Sequence, residues 1–221
     1  MMQLSSETRD VLKNFSTINQ NLLVKSGNTI NTMSAMKNIV ARATIPDAFS
    51  DEFAIYDLNE FLAALSLFKS PTLDFAKQSV KLNEEGGGSS LNYFFSDPSV
   101  VTTPKTEIQM PSVDVEFVFT QDTFNQIQKA SAVLGVPDVV LKGVAGGDIN
   151  LTVTDRKNET SNDFAIKVGE NSPAADFTHY FKVENLKLLS GDYKVEVSSK
   201  GISRFTNMTK PIEYFIALEA S

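Results

Sequence analysis

The sequence predicts an α+β fold made of two similar halves, and three observations lead to this prediction. A strand-like stretch followed by a capping residue and a short helix with periodic apolar residues recurs along the chain. Turn-forming glycines at Gly86-Gly-Gly88 and Gly146-Gly147 separate further strand-like stretches. A region without a clear period, residues 98–112, lies between the halves and contains three prolines counted from Pro98 to Pro111. We therefore expect domains at residues 1–97 and 113–221, joined by this linker.

The first half contains two predicted helices. Ser5 or Ser6 can cap the first helix, and its apolar face holds Val11, Leu12 and Phe15. The second follows a short strand at residues 53–56, and Asp57 begins it in a pattern that resembles a capping box. Strands and turns fill the rest of this half.

The second half repeats the order of helix, strands, helix and strands. The alternating stretch 115–119 predicts a strand, Thr120 is a suitable N-cap, and Gly135 with Pro137 closes the helix. A fourth, shorter helix is expected over residues 184–189, after a strand at 180–183. The prediction is therefore two helices packed on antiparallel sheet in each half.

Composition bounds the function classes that the chain can belong to. The formal net charge of −7 argues against a general nucleic-acid binder, although net charge does not describe how charge is distributed. The sequence has no cysteine, which excludes disulfides and thiolate chemistry. Residues 1–10 are polar and lack the apolar run of a signal peptide, so we expect an intracellular protein.

The sequence has few residues arranged as catalysis would require, so we predict no enzymatic activity, no cofactor and no metal. The one histidine, His179, lies on a predicted strand without a partner motif. Asp114 and Glu116 lie two residues apart on a predicted strand, so their side chains face the same side, as those of two carboxylates holding Mg²⁺ would. A solvated strand face explains this pair more simply, and a metal-dependent hydrolase remains the less favoured alternative.

The exposed helix faces carry cationic groups in a chain that is acidic overall. Arg9 and Lys13 lie four residues apart, opposite the apolar stripe of the first helix. Lys129 lies opposite the apolar face of the third helix, and Lys187 lies beside the leucines of the predicted fourth helix. Solvated basic residues are common on helices, so this pattern alone indicates function only weakly.

Five stretches of the chain carry a resemblance to a known family. They are residues 12–18, 24–27, 54–62, 191–194 and 217–220. Together they resemble the DNA polymerase sliding clamps, or processivity factors, of T-even-like bacteriophages. The resemblance runs over nearly the whole chain, and its order and spacing make it specific.

The resemblance implies the DNA-clamp fold in a homotrimer, whose six domains close into a ring around double-stranded DNA. It implies loading by an ATP-dependent clamp loader, binding of the DNA polymerase, a role with late-transcription factors, and location in the cytoplasm of the infected bacterial host. The DNA-facing residues would be Arg9, Lys13, Lys129 and Lys187. The partner-binding residues would be Val100, Val101, Tyr214, Ile216 and Leu218, although the last three could instead fill the core.

One alternative of a different class stays open at this point. A strand-rich virion protein that oligomerises without a DNA role would have the same composition. It is less favoured because four amphipathic helices in register are unusual in capsid or fibre modules.

Overall fold

The computed structural model describes residues 1–171 and 175–220, and the chain divides into two compact units. The first unit is Met1–Glu107 and the second is Ile108–Ser221. The division lies inside the predicted linker, residues 98–112. Among the described residues, no helix combines the length and the apolarity that crossing a bilayer requires.

The first unit contains two helices and short antiparallel strands. Strand β1 pairs with β4, β2 pairs with β3, and β5, β6 and β7 form a sheet in that order. Helix α1 packs against β3 and α2. The elements are α1 Ser6–Ile18, β1 Leu22–Val24, β2 Gly27–Met33, β3 Ile39–Phe49, β4 Phe53–Ile55, α2 Leu58–Ser66, β5 Pro71–Phe75, β6 Ser79–Glu84 and β7 Ser90–Phe94.

Both helices of the first unit begin where the sequence predicts. The Ser5 hydroxyl accepts the backbone N–H of Thr8 at 3.1 Å, and Val11, Leu12 and Phe15 of α1 are buried. The Asp57 carboxylate accepts the backbone N–H groups of the first turn of α2. The hydrogen bond from the Glu60 backbone is the main reason that the pKa of Asp57 lies below its usual value.

The second unit contains one α-helix and two antiparallel sheets among its described residues. One sheet has the order β11-β10-β9-β12, and in the other β8, β13, β14 and β15 are neighbours in that order. The elements are β8 Val115–Phe119, α3 Gln121–Leu134, β9 Asp138–Gly143, β10 Gly147–Thr154, β11 Phe164–Asn171, β12 Phe177–Lys182, β13 Tyr193–Ser198, β14 Ile202–Asn207 and β15 Ile212–Ala217.

Helix α3 has the predicted ends but a narrower apolar face than expected. The Thr120 hydroxyl accepts the backbone N–H of Thr123, and Gly135 ends the helix at a φ of 69°, which favours glycine. Ile127 is fully buried, whereas Val133, also an apolar residue of this helix, is largely exposed. Val133 lies six residues further on, about 240° around the helix at roughly 100° per residue, and therefore points elsewhere.

The predicted fourth helix over residues 184–189 is wrong. The chain forms a single 3₁₀ turn at Val183–Asn185 and then continues without helix. Leu186 and Leu188 are both buried with Lys187 between them half-exposed, which is the alternation of an extended segment. Six residues ended by Ser190 and Gly191 are too few to offset the cost of helix nucleation.

Candidate nucleic-acid interface and docking residues

Helix α1 presents Lys13 to solvent and places Arg9 beside an acidic side chain. Lys13 is exposed and Arg9 is half-exposed. The Asp47 carboxylate accepts the backbone N–H and the hydroxyl of Ser5, each at 2.8 Å. Partial burial raises the pKa of Asp47, but hydrogen bonds from Thr8 and Ser5 and the charge of Arg9 together lower it. Asp47 therefore partly neutralises Arg9, and Lys13 is the better exposed cation.

Helix α3 presents Lys129 to solvent in the second unit. Lys129 is exposed and lies two residues from the buried Ile127, about 200° around the helix at roughly 100° per residue. This face is not purely cationic, because Asp122 in the first turn lies on it, about two helical turns before Lys129. The Asp122 carboxylate accepts a hydrogen bond from the Gln126 side chain at 2.6 Å. The cation therefore lies towards the C-terminal half of the helix.

The structure brings Lys187 beside α3 although the fourth helix does not form. Lys187 lines a groove together with Gln128 and Ser131 of α3. The neighbouring Lys182 is held at 2.5 Å from the carboxylate of Asp138, which is almost completely buried. Lys187 and α3 thus border one surface, and Lys182 has a structural ion pair.

The predicted docking residues of the linker differ sharply in exposure. Val100 is 55% exposed at the end of a 3₁₀ turn, Pro98–Val100, whereas Val101 is 9% exposed. The backbone N–H of Thr102 donates to the Asn21 side chain at 3.0 Å and holds this stretch on the first unit. Val100 is therefore available to a partner, and Val101 anchors the segment.

Two of the predicted docking residues near the C-terminus are core residues. Tyr214 and Ile216 are both fully buried, so their side chains offer no surface to a partner. The Tyr214 hydroxyl accepts the backbone N–H of Leu189 at 3.0 Å, and its ring lies 6.0 Å from that of Tyr193. Burial is the main cause of the raised pKa of Tyr214. This burial favours the core alternative for both residues.

Leu218 remains partly exposed on a segment that is fixed in place. Its backbone N–H donates to Gly201 at 2.9 Å, and Glu219 donates to the carbonyl of Tyr180 at 2.9 Å. The Arg156 guanidinium lies over the Tyr180 ring and donates to the carbonyl of Ala220. The sequence contains no local signal for Arg156, because this contact joins residues far apart in the chain.

Comparison with known proteins decides the family. The model described as DNA polymerase processivity factor matches residues 5–103, and the model described as gp45 sliding clamp, C terminal, matches residues 116–220. A sliding clamp of Vibrio phage KVP40 is 36% identical over 223 residues, covering 99% of this chain and 100% of the relative. The chain belongs to the sliding clamp family.

Further relatives and solved structures agree with this assignment. The sliding clamp of Enterobacteria phage T4 is 28% identical, and the match covers 99% of this clamp and 97% of the relative. A structure of A. fulgidus PCNA with the C-terminal region of FEN-1 bound has a TM-score of 0.72 at 10% identity, covering 100% and 99% of the two chains. A PCNA2–PCNA3 complex from Sulfolobus tokodaii gives 0.68, also at 10% identity, covering 97% and 96%. These structures support the clamp fold that the sequence resemblance implies.

The carboxylates considered for metal chemistry have structural partners in the clamp. Asp114 accepts the backbone N–H of Ser199 at 2.6 Å, and Glu116 pairs with Lys194 at 2.9 Å. The ring of His179 stacks on that of Phe177, and burial lowers the pKa of His179 although the charge of Asp114 opposes this. Among the described residues, no acidic or histidine cluster is suited to hold a metal ion. Members of this family are processivity factors and not enzymes, so a metal-dependent hydrolase is no longer a competing interpretation.

Proposed function

We propose that three copies of this clamp close into a ring that encircles duplex DNA without sequence preference and tethers the phage DNA polymerase. The full-length match to phage sliding clamps carries this proposal. An ATP-dependent loader opening the ring, late-transcription factors binding it, and residence in the cytoplasm of the infected bacterium belong to the same proposal.

The charges suit an enclosed duplex that must slide. Lys13 and Lys129, one in each unit, would supply weak attraction to phosphates that is independent of sequence. Arg9 and Lys187 would add to this attraction, Arg9 less so because Asp47 lies beside it. The net charge of −7 discourages DNA from binding elsewhere on the protein. A topological link then supplies residence time, and no tight contact is needed.

Partner peptides would dock on exposed apolar side chains. Val100 and Leu218 keep accessible surface in the two units, and Val101 supports the segment on which Val100 lies. The A. fulgidus PCNA, which has the same fold, is described with the C-terminal region of FEN-1 bound. We propose that Val100 on the first unit and Leu218 on the second each offer apolar surface to partner peptides such as the C-terminal peptide of the polymerase.

Two strand edges are suited to join neighbouring subunits. Strand β7 is at the edge of the β5-β6-β7 sheet, and β11 is at the edge of the β11-β10-β9-β12 sheet. Phe94 at the end of β7 is 73% exposed, and Phe164 at the start of β11 is 39% exposed. Edge strands present unpaired backbone groups to other chains. We propose that β7 of one subunit pairs antiparallel with β11 of the next, which would bring Phe94 and Phe164 to the same end of the border.

The decisive experiment uses the topology of the DNA. The clamp would be loaded by the cognate loader onto primed circular DNA, and retention would be measured before and after one restriction cut. We expect retention on the circle, loss from the linear ends, and processive synthesis only on loaded circles. Native mass spectrometry should give the mass of a trimer. Equal retention on both DNAs, or a chain that stays monomeric at high concentration, would contradict the ring, and incorporation into purified virions would favour the structural alternative.

A further inference from the structure

A groove in the first unit is lined by phenylalanines from four separate elements. Phe49 ends β3, Phe53 begins β4, Phe75 ends β5 and Phe95 follows β7. The centroids of Phe53 and Phe95 are 4.7 Å apart, and those of Phe49 and Phe75 are 5.8 Å apart. Residues distant in the chain thus form one aromatic cluster at the surface, which we call the aromatic groove.

The aromatic groove has a buried floor and accessible walls. Phe49 and Phe53 are buried, whereas Phe75 and Phe95 are partly exposed and stack with centroids 6.4 Å apart. The cavity has a volume of about 620 Å³. Recognition pockets commonly measure about 300–1,000 Å³, so an apolar side chain and its neighbouring backbone fit.

The rim of the aromatic groove is acidic. Asp51, Glu52 and Asp74 line it and are exposed, against the positive charges of Lys77 and of the Met1 amino group at the same groove. These carboxylates repel phosphates, so the groove is not suited to nucleic acid. They attract Lys or Arg side chains, which can also stack on the accessible rings of Phe75 and Phe95.

We propose that the aromatic groove binds an extended segment of a partner protein that carries an aromatic or leucine side chain next to lysine or arginine. The apolar side chain would lie against the accessible faces of Phe75 and Phe95, and the basic neighbours would face the acidic rim. Neither Val100 nor Leu218 lines the groove. The inference therefore adds a second docking surface to the one proposed for the polymerase, and its test needs neither DNA nor loading.

The probe is a random dodecapeptide display library, selected on the immobilised full-length clamp. Binders of the bare support are removed by counter-selection. The remaining peptides are tested on an Asp74→Lys clamp, because this substitution reverses an exposed rim charge without touching the aromatic packing. A Glu85→Lys clamp is the matched control. It makes the same charge change on an exposed residue of this unit that does not line the groove. The selected peptides are then synthesised and their affinities measured by fluorescence anisotropy.

We expect the selected peptides to combine an aromatic residue or leucine with Lys or Arg. Asp74→Lys should weaken them about five- to tenfold, and Glu85→Lys less than twofold, as expected for exposed charge pairs. Phe95→Ala should weaken them further, with its fold checked by circular dichroism. Peptides without basic residues, peptides insensitive to Phe95→Ala, or no enrichment would each overturn the proposal. If the clamp is not retained on primed circles but the selected peptides bind as expected, only the proposal of the ring is contradicted.

Discussion

At the scale of single residues, Asp47 joins the start of α1 to strand β3. Its carboxylate accepts two hydrogen bonds from Ser5, the residue that caps α1. The pKa of Asp47 is lowered in the folded chain from a value of 3.8, so its ionised form is favoured by folding. This stabilisation is fully present above that value and is lost as the pH falls through the lower, folded pKa.

We therefore expect Asp47→Asn to lower the free energy of unfolding at pH 7 by about 1 kcal/mol, the usual size of a charged hydrogen bond that supports a helix cap and is only partly buried. The difference in free energy of unfolding between the variant and the parent should shrink below about pH 4, because the Asp47 carboxylate of the parent then becomes protonated and loses this stabilisation. Urea unfolding at pH 7 and at pH 3 measures both effects. Asp163→Asn, at an exposed residue of the other unit, is the control, and a difference that does not change with pH would contradict the argument.

Tyr214 provides a second test at this scale, because the sequence resemblance assigns it to partner binding and the structure buries it. Tyr214→Phe leaves the backbone N–H of Leu189 without its acceptor, which should cost about 1 kcal/mol of stability. Affinity for the C-terminal peptide of the polymerase should not change. Tyr56→Phe, at an exposed tyrosine, should change neither quantity. Loss of peptide affinity on an otherwise stable Tyr214→Phe clamp would restore the docking interpretation.

At the scale of elements, the sequence predicts where α1, α2 and α3 begin because capping is a local interaction. Ser5, Asp57 and Thr120 each accept a backbone N–H within three residues, and no distant contact is needed to recognise them. The prediction of a fourth helix is wrong because its leucines suit either a short helix or an extended segment. Burial of both Leu186 and Leu188 decides for the extended form, and that depends on the surrounding fold.

The predicted docking residues of β15 show the same limit of prediction from sequence, because their burial depends on the surrounding fold. Alternate residues of β15 share a face, so the sequence indicates that Tyr214 and Ile216 lie together but not whether their face is buried. Contacts such as that of Arg156 with the carbonyl of Ala220 join residues distant in the chain, and the sequence has no local pattern for them. Cations on α1 and α3 were predictable because the buried face of a helix identifies its opposite face.

The cationic faces of α1 and α3 give a prediction about DNA. A clamp carrying both Lys13→Glu and Lys129→Glu should still form trimers and stay on closed circles, but it should leave the DNA sooner once the circle is cut. The logarithm of apparent affinity should depend less steeply on the logarithm of salt concentration, by about 1 for each phosphate that a lysine no longer neutralises. Lys81→Glu with Lys200→Glu makes the same charge change at exposed residues outside the helices. Equal defects in both double variants would indicate a general charge effect and not a DNA-facing surface.

At the scale of the whole molecule, the proposed ring depends on two strand edges, β7 and β11, that would meet between neighbouring subunits. Each ends a sheet of its own unit and carries an exposed phenylalanine, Phe94 or Phe164. Single chains rarely leave an edge strand and a large apolar side chain uncovered together, because such edges invite pairing with other chains. A closed trimer would cover both edges in every subunit and leave none exposed at its borders.

This arrangement predicts that Phe94→Asp weakens the trimer. Removing one buried phenylalanine from each border should cost about 2 kcal/mol, which raises the dissociation constant about thirtyfold. Phe164→Asp should have a similar effect, and the double variant should lose less than the sum if the two rings touch across the border. Val118→Asp is the control, since Val118 is exposed on β8 at the edge of a different sheet. Sedimentation velocity over a concentration series measures all four variants. Additive losses would exclude contact between the two rings, and equal weakening by Val118→Asp would contradict pairing of β7 with β11.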